Sequence, residues 1–144
     1  MEGLDLERIK ARSREIRECL AKVRRYVALP DPEFLADERN IYTVMHLLLQ
    51  AIEGVAGLCM HILAKTARSA PASYAECFAG LWKLGLLDNE LTGRLVQMAR
   101  FRNLLVHRYW DVDPQRVLRY ARENLGDFEA FLALVGRLAD APPV

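Results

Sequence analysis

The sequence predicts an all-α fold, an antiparallel bundle of about five helices, and three observations carry that prediction. Apolar residues recur at steps of three and four through every long segment, the spacing of one helix face. No segment alternates with the two-residue period of a strand, and there is no internal repeat, low-complexity tract or Gly-rich phosphate loop. The breaks are short and carry helix-stopping and helix-starting residues, as at Leu29-Pro30, Ser69-Ala70-Pro71 and Asp113-Pro114.

The first helix is expected from about Asp5 to Ala28, with Leu6, Ile9, Ile16, Leu20, Val23 and Val27 on its inner face. Asp31-Pro32-Glu33 then offers an N-cap, a proline at the first helical position and an acid in the first turn. The second helix follows, from about Pro32 to Lys65, on a seam of Ile41, Val44, Met45, Leu48, Ile52, Val55, Cys59 and Ile62. Gly54 and Gly57 lie beside that seam. Each costs about 1 kcal/mol against alanine in a helix interior, so a tight crossing or a subunit contact is expected there.

Ser73-Tyr74-Ala75-Glu76 reads as a capping box for a short third helix, which ends at Leu84 with Gly85 as a left-handed stop. Asp88 or Asn89 caps the fourth, which turns Leu91, Leu95, Met98, Phe101, Leu104 and Leu105 inward. Asp113-Pro114 opens the fifth, apolar at Val117, Leu118, Tyr120, Ala121, Leu125, Phe128, Phe131, Leu132, Val135 and Leu138, with a kink expected at Gly126. Residues 1–139 are expected to form a single domain, and Asp140-Ala141-Pro142-Pro143-Val144 a frayed tail.

Composition narrows the function. A chain of 144 residues, 52% hydrophobic and 27% charged, is globular, and a net charge of +1 gives no global mark of a nucleic-acid or membrane binder. The charge is uneven, however. Between Arg94 and Arg122, seven arginines (94, 100, 102, 108, 116, 119, 122) against Asp111 and Asp113 leave a local balance of +5. Three cysteines (19, 59 and 77), no CxxC and no signal sequence point to a reduced, cytoplasmic setting, with Cys59 and Cys77 in the core. The longest apolar run, near Met45 to Ile52, falls far short of a membrane span, so no membrane association is expected.

One stretch suggests chemistry: Phe101-Arg102-Asn103-Leu104-Leu105-Val106-His107-Arg108-Tyr109-Trp110. At about 100° per residue, Arg102 and His107 stand about 140° apart and flank a face without touching. Arg102 and Tyr109 would share a face on an unbroken helix, about 20° apart. His107 and Tyr109 would then be nearly opposed, so the helix is expected to end near Arg108, ahead of Asp111-Val112-Asp113-Pro114. A helix-end imidazole can exchange a proton, and a guanidinium can fork onto a phosphate. The same residues could equally cap carbonyls and face solvent. A metal site from His46, Gln50, Glu53 and His61 is disfavoured, because their spacing matches neither HExxH nor CxxC.

Arg102 to Tyr109 resembles the R-x4-H-x-Y signature of the HEPN superfamily, specifically its HepT-like toxins. The likeness runs from about Asp5 to Leu138. It includes Glu38-Arg39-Asn40 before a long apolar helix, Ser73-Tyr74 opening a short one, Leu84-Gly85-Leu86-Leu87, Met98 before Phe101-Arg102-Asn103, and Asp113 before the last helix. This resemblance implies a metal-independent endoribonuclease toxin without a cofactor. It would act on RNA as a homodimer and be encoded with an MNT-type nucleotidyltransferase antitoxin. Carried over, Arg102 and His107 from both subunits would line a shared cleft, with Asn103 as a polar supporter. Tyr109 would be the residue silenced by AMP. Arg94, Arg100, Arg108 and Arg116 are candidates to follow the RNA backbone, and Trp110 or Tyr109 to stack a base. The alternative is a non-catalytic helical module that binds a nucleotide or RNA and docks a nucleotidyltransferase; a third possibility is a purely structural bundle.

Overall fold

The structure is a computed structural model and describes residues 3–67 and 70–140; Ser69 and the tail residues 141–144 lie outside them. The described residues form seven α-helices and one 3-10 turn, with no strand among them. These are α1 (Leu6–Val27), α2 (Asp31–Ala36), α3 (Glu38–Thr66), α4 (Tyr74–Lys83), α5 (Asn89–His107), the 3-10 turn (Tyr109–Asp111), α6 (Pro114–Glu123) and α7 (Leu125–Asp140).

Two of the expected helices are each divided. The second breaks at Asp37, whose backbone is extended and whose carboxylate accepts from the Arg39 N–H, so α2 ends and α3 is capped at one residue. The last breaks at Asn124, not at Gly126, which lies inside α7. Asp140, expected in the tail, closes α7.

The caps follow local chemistry. Asp5, Ser73, Asp88 and Asp113 each accept a backbone N–H from the first turn of the helix they open. The Ala72 N–H donates to Glu76, whose own N–H donates to Ser73 Oγ. Gly85 adopts φ +75°, which lets its N–H reach the Trp82 carbonyl and the Leu86 N–H reach Leu81.

Helix α3 is the hub and touches each of the other six helices. All eight of its expected seam residues are buried. By length and composition α3 could cross a membrane, with a mean hydropathy of 1.7 over its most apolar window, which corrects the reading based on the short run alone. Its apolar side chains instead build the core, together with Ile16, Leu20 and Val23 of α1, Phe78 of α4, and Phe128 and Phe131 of α7. Leu6, expected inward, is 43% exposed.

The two glycines divide in role. A Cβ on Gly54 would sit 2.6 Å from Ile16 Cγ1, so the α1–α3 crossing is tight there, whereas one on Gly57 would meet nothing within 4 Å. Arg122 ties α6 to the end of α1: its guanidinium donates to the Val27 and Leu29 carbonyls and to Asp31 Oδ1. Val27 is the last residue of α1, and its carbonyl has no helical partner.

Candidate active site

Helix α5 carries the motif because its two faces differ. Phe101 and Leu105 are buried, and Phe101 stacks on Tyr120 of α6 with ring centroids 3.9 Å apart and planes 10° from parallel. That packing fixes the rotation of α5 and turns Arg102, Asn103 and His107 outward. The helix ends at His107. Arg108 leaves the helical region (φ −138°, ψ 35°), and Tyr109, Trp110 and Asp111 form the 3-10 turn. Tyr109 is therefore not on the helical face of Arg102, because the helix does not reach it.

Arg102 is the most constrained of these residues. Its Nε donates to Glu53 Oε1 on α3 at 2.9 Å, and its Nη1 donates to Asn103 Oδ1 at 3.2 Å. Its guanidinium carbon lies 4.9 Å from the centre of the Tyr74 ring on α4. The Tyr74 hydroxyl donates to the other Glu53 oxygen, Oε2. One carboxylate from α3 thus bridges a tyrosine of α4 and an arginine of α5. The hydrogen bond to Glu53 holds Arg102 above its ordinary pKa, and burial is the main cause that pushes the Tyr74 hydroxyl up.

A cleft of about 430 Å³ opens beside this cluster, lined by Ser73, Tyr74, Arg100, Arg102 and Asn103 among others. His107 is not among its lining residues. A larger groove, ≈ 620 Å³, runs between α1 and α3; it includes Glu53 but neither Arg102 nor His107. His107 is exposed at the helix end, and beside it Tyr109 and Trp110, 57% and 67% exposed, meet edge to face at 5.2 Å.

The arginine-rich segment is less free than its sequence suggests. Arg94 pairs with Glu90, and its Nε lies 2.8 Å from Asp127 Oδ1 of α7, close but without an aligned N–H. Arg108 pairs with Asp111 at 3.0 Å, and Arg122 with Asp31 at 2.6 Å. Among the described residues, Arg100, Arg116 and Arg119 have no acidic partner.

The weak metal candidates have other engagements. Glu53 holds Arg102 and Tyr74, and buried His61 accepts the Asp5 backbone N–H on Nε2 at 3.0 Å. Burial foremost, then Arg8 and Lys65, lower the His61 pKa against the opposing pull of Asp5. Folding therefore disfavours its protonation: the unfolded chain binds the extra proton below the ordinary value of 6.5. Stability should rise with pH through that region and be lost as pH falls below it. Urea midpoints measured from about pH 5.5 to about pH 7.5 should show this slope, and His61→Gln should flatten it. Cys59 and Cys77 are both buried, and burial pushes the Cys59 thiol up, away from reactivity.

Sequence reasoning missed Glu53 and Tyr74 as parts of this site. A signal was present for the first: Glu53 is the one Asp, Glu, Lys or Arg between Arg39 and Lys65.

The family model described as ribonuclease HepT-like matches residues 16–135, a span that contains α3, α4, α5 and the whole motif. The chain belongs to the HepT-like family. Solved structures share the HepT-like fold. One is the tri-AMPylated HEPN toxin of Shewanella oneidensis in complex with MNT antitoxin, 23% identical, covering 92% of this chain and 97% of that one, with a TM-score of 0.83. A toxin–antitoxin solved with AMP-PNP is 23% identical, covers 91% of this chain and 98% of that one, and has a TM-score of 0.81. YutE of Bacillus subtilis, a cytosolic protein of unknown function, is 15% identical and covers 100% and 99%, with a TM-score of 0.81. No curated protein sequence matches the chain.

Proposed function

We propose that the chain is a metal-independent endoribonuclease, the toxin of a HEPN/MNT toxin–antitoxin pair, acting in the cytoplasm as a homodimer. The observation that carries this reading is the match to a family described as ribonuclease HepT-like across the segment holding Arg102, His107 and Tyr109. The toxin–antitoxin complexes that share the fold support a nucleotidyltransferase partner.

RNA carries its own nucleophile. In the reaction, the ribose 2′-oxygen forms a bond to phosphorus and the bond to the 5′-oxygen breaks, leaving a 2′,3′-cyclic phosphate. The imidazole of His107 takes the 2′ proton or gives one to the departing 5′-oxygen. Arg102 offers its guanidinium to the phosphorane oxygens, where charge accumulates. Two facing subunits would supply one imidazole for each proton transfer. AMP on Tyr109 would bring a phosphate and an adenosine to the exposed end of α5 and block access to His107. Arg100 and Arg116 would follow the RNA backbone, and Trp110 would stack a base.

The test is the chemistry of the ends. A single-stranded RNA incubated in EDTA should yield products with 2′,3′-cyclic phosphate, and a deoxyribose at the cut site should abolish cleavage. Products ending in a 3′-hydroxyl, or a strict need for divalent metal, would refute the mechanism. One observation favours the non-catalytic module instead: Arg102 is already ion-paired to Glu53. Under that reading RNA stays intact while its binding remains measurable.

A further inference from the structure

The Glu53–Arg102 pair does not occupy the whole guanidinium. Arg has five N–H donors in a planar fork. Glu53 takes the Nε–H and Asn103 takes one N–H of Nη1, which leaves the outer N–H groups free. The guanidinium carbon lies over the Tyr74 ring, 4.9 Å from its centre. The side chain is three-quarters covered, with 25% of its surface exposed. What remains open is the outer edge of the fork, beside the cleft lined by Ser73, Arg100 and Asn103.

Glu53 is itself held. Its Oε2 accepts the Tyr74 hydroxyl, so the carboxylate cannot turn to follow the guanidinium. It projects from α3, the helix that every other helix packs against, and Gly54 beside it lies where Ile16 of α1 approaches closely. Tyr74 is the first residue of α4, fixed by the Ser73 cap. The three side chains come from three helices, 49 and 21 residues from Glu53 in sequence, and meet through one carboxylate. A free surface arginine would lose rotamer entropy on gripping a phosphate, and here that freedom is already gone.

We infer that Glu53, locked by Tyr74, is the positioning residue that aims the Arg102 fork at the scissile phosphate of RNA; this rests on the ribonuclease reading above. Both act through Arg102.

The experiment pairs a rate measurement with one that needs no activity. Glu53→Ala should lower kcat by about 10- to 100-fold with a much smaller change in KM, the scale of a misplaced catalytic group. Glu53→Gln keeps an oxygen for the Arg102 Nε–H and should recover most of the loss. Tyr74→Phe keeps the ring but frees the carboxylate, and should fall between the two. In an Arg102→Ala background, Glu53→Ala should have no further effect on rate. In parallel, the Arg102 Nε–H resonance should be protected from solvent exchange in the wild-type protein and in Glu53→Gln, and exchange rapidly in Glu53→Ala and, if that variant does not fold, in Tyr74→Phe.

A Glu53→Ala rate within about twofold of wild type, or an equal loss with and without Arg102, would overturn the inference. So would an unchanged Arg102 resonance in every variant. If wild-type protein leaves RNA intact, the ribonuclease reading fails on that result, and the resonance alone still decides whether Glu53 holds Arg102.

Discussion

His107→Ala is expected to slow RNA cleavage by about 10²- to 10⁴-fold, the range for removing a general acid or base. The side chain is exposed and outside the core, so stability should stay within about 0.5 kcal/mol of wild type. Activity lost together with the fold would therefore point to a different cause. Arg102→Ala should also cost about 10²- to 10³-fold, as for loss of one preorganised donor to developing charge. Within one chain the two groups diverge by about 140° around α5 and about 7.5 Å along it. If facing subunits share the cleft, mixing the two inactive variants should restore part of the cleavage, because a mixed dimer keeps one guanidinium and one of the two imidazoles, whereas neither variant alone keeps both kinds of group. Single-turnover kinetics on the mixture and on each variant alone checks this. Wild-type rates for His107→Ala after matched purification would remove His107 from the mechanism.

Phe131→Ala is expected to cost about 3–5 kcal/mol, a large share of the roughly 5–15 kcal/mol that holds a domain of this size folded. Phe131 is 0% exposed on α7 and meets Phe78 of α4 edge to face, with ring centroids 6.3 Å apart. Truncation would remove the edge-to-face contact with Phe78 and leave a cavity in the core. Urea unfolding measures the loss. A cost under about 1 kcal/mol would mean that the site collapses to fill the space.

The bundle was legible because its code is local. Seam residues from Ile41 to Ile62 and from Val117 to Val135 follow the helical period, and the caps at Ser73, Asp88 and Asp113 lie within three residues of the N–H groups they satisfy. The two missed breaks are also local but lack the usual marks. Asp37 ends one helix and begins another with no proline or glycine, and at Asn124 the nearby Gly126 carried the stronger signal. The site divided along the same line. The end of α5 at His107 could be read from the residues that follow it. The partners of Arg102 could not, because Glu53 lies 49 residues away and only packing brings it near. Arg94 shows the same limit: one of its acidic neighbours, Asp127, belongs to another helix, with the Arg94 Nε 2.8 Å from its Oδ1.

That internal pairing has a measurable consequence for ionic strength. For single strands, the logarithm of affinity falls against the logarithm of salt with a slope of about −0.7 per phosphate neutralised. Seven arginines of one chain acting as free cations would give about −5, whereas Arg102, which keeps N–H groups for a phosphate, and the three without acidic partners, Arg100, Arg116 and Arg119, give about −3 per chain. Grip on RNA would then be weakly screened, and target choice would rest on the shape and stacking of the strand more than on counterion release.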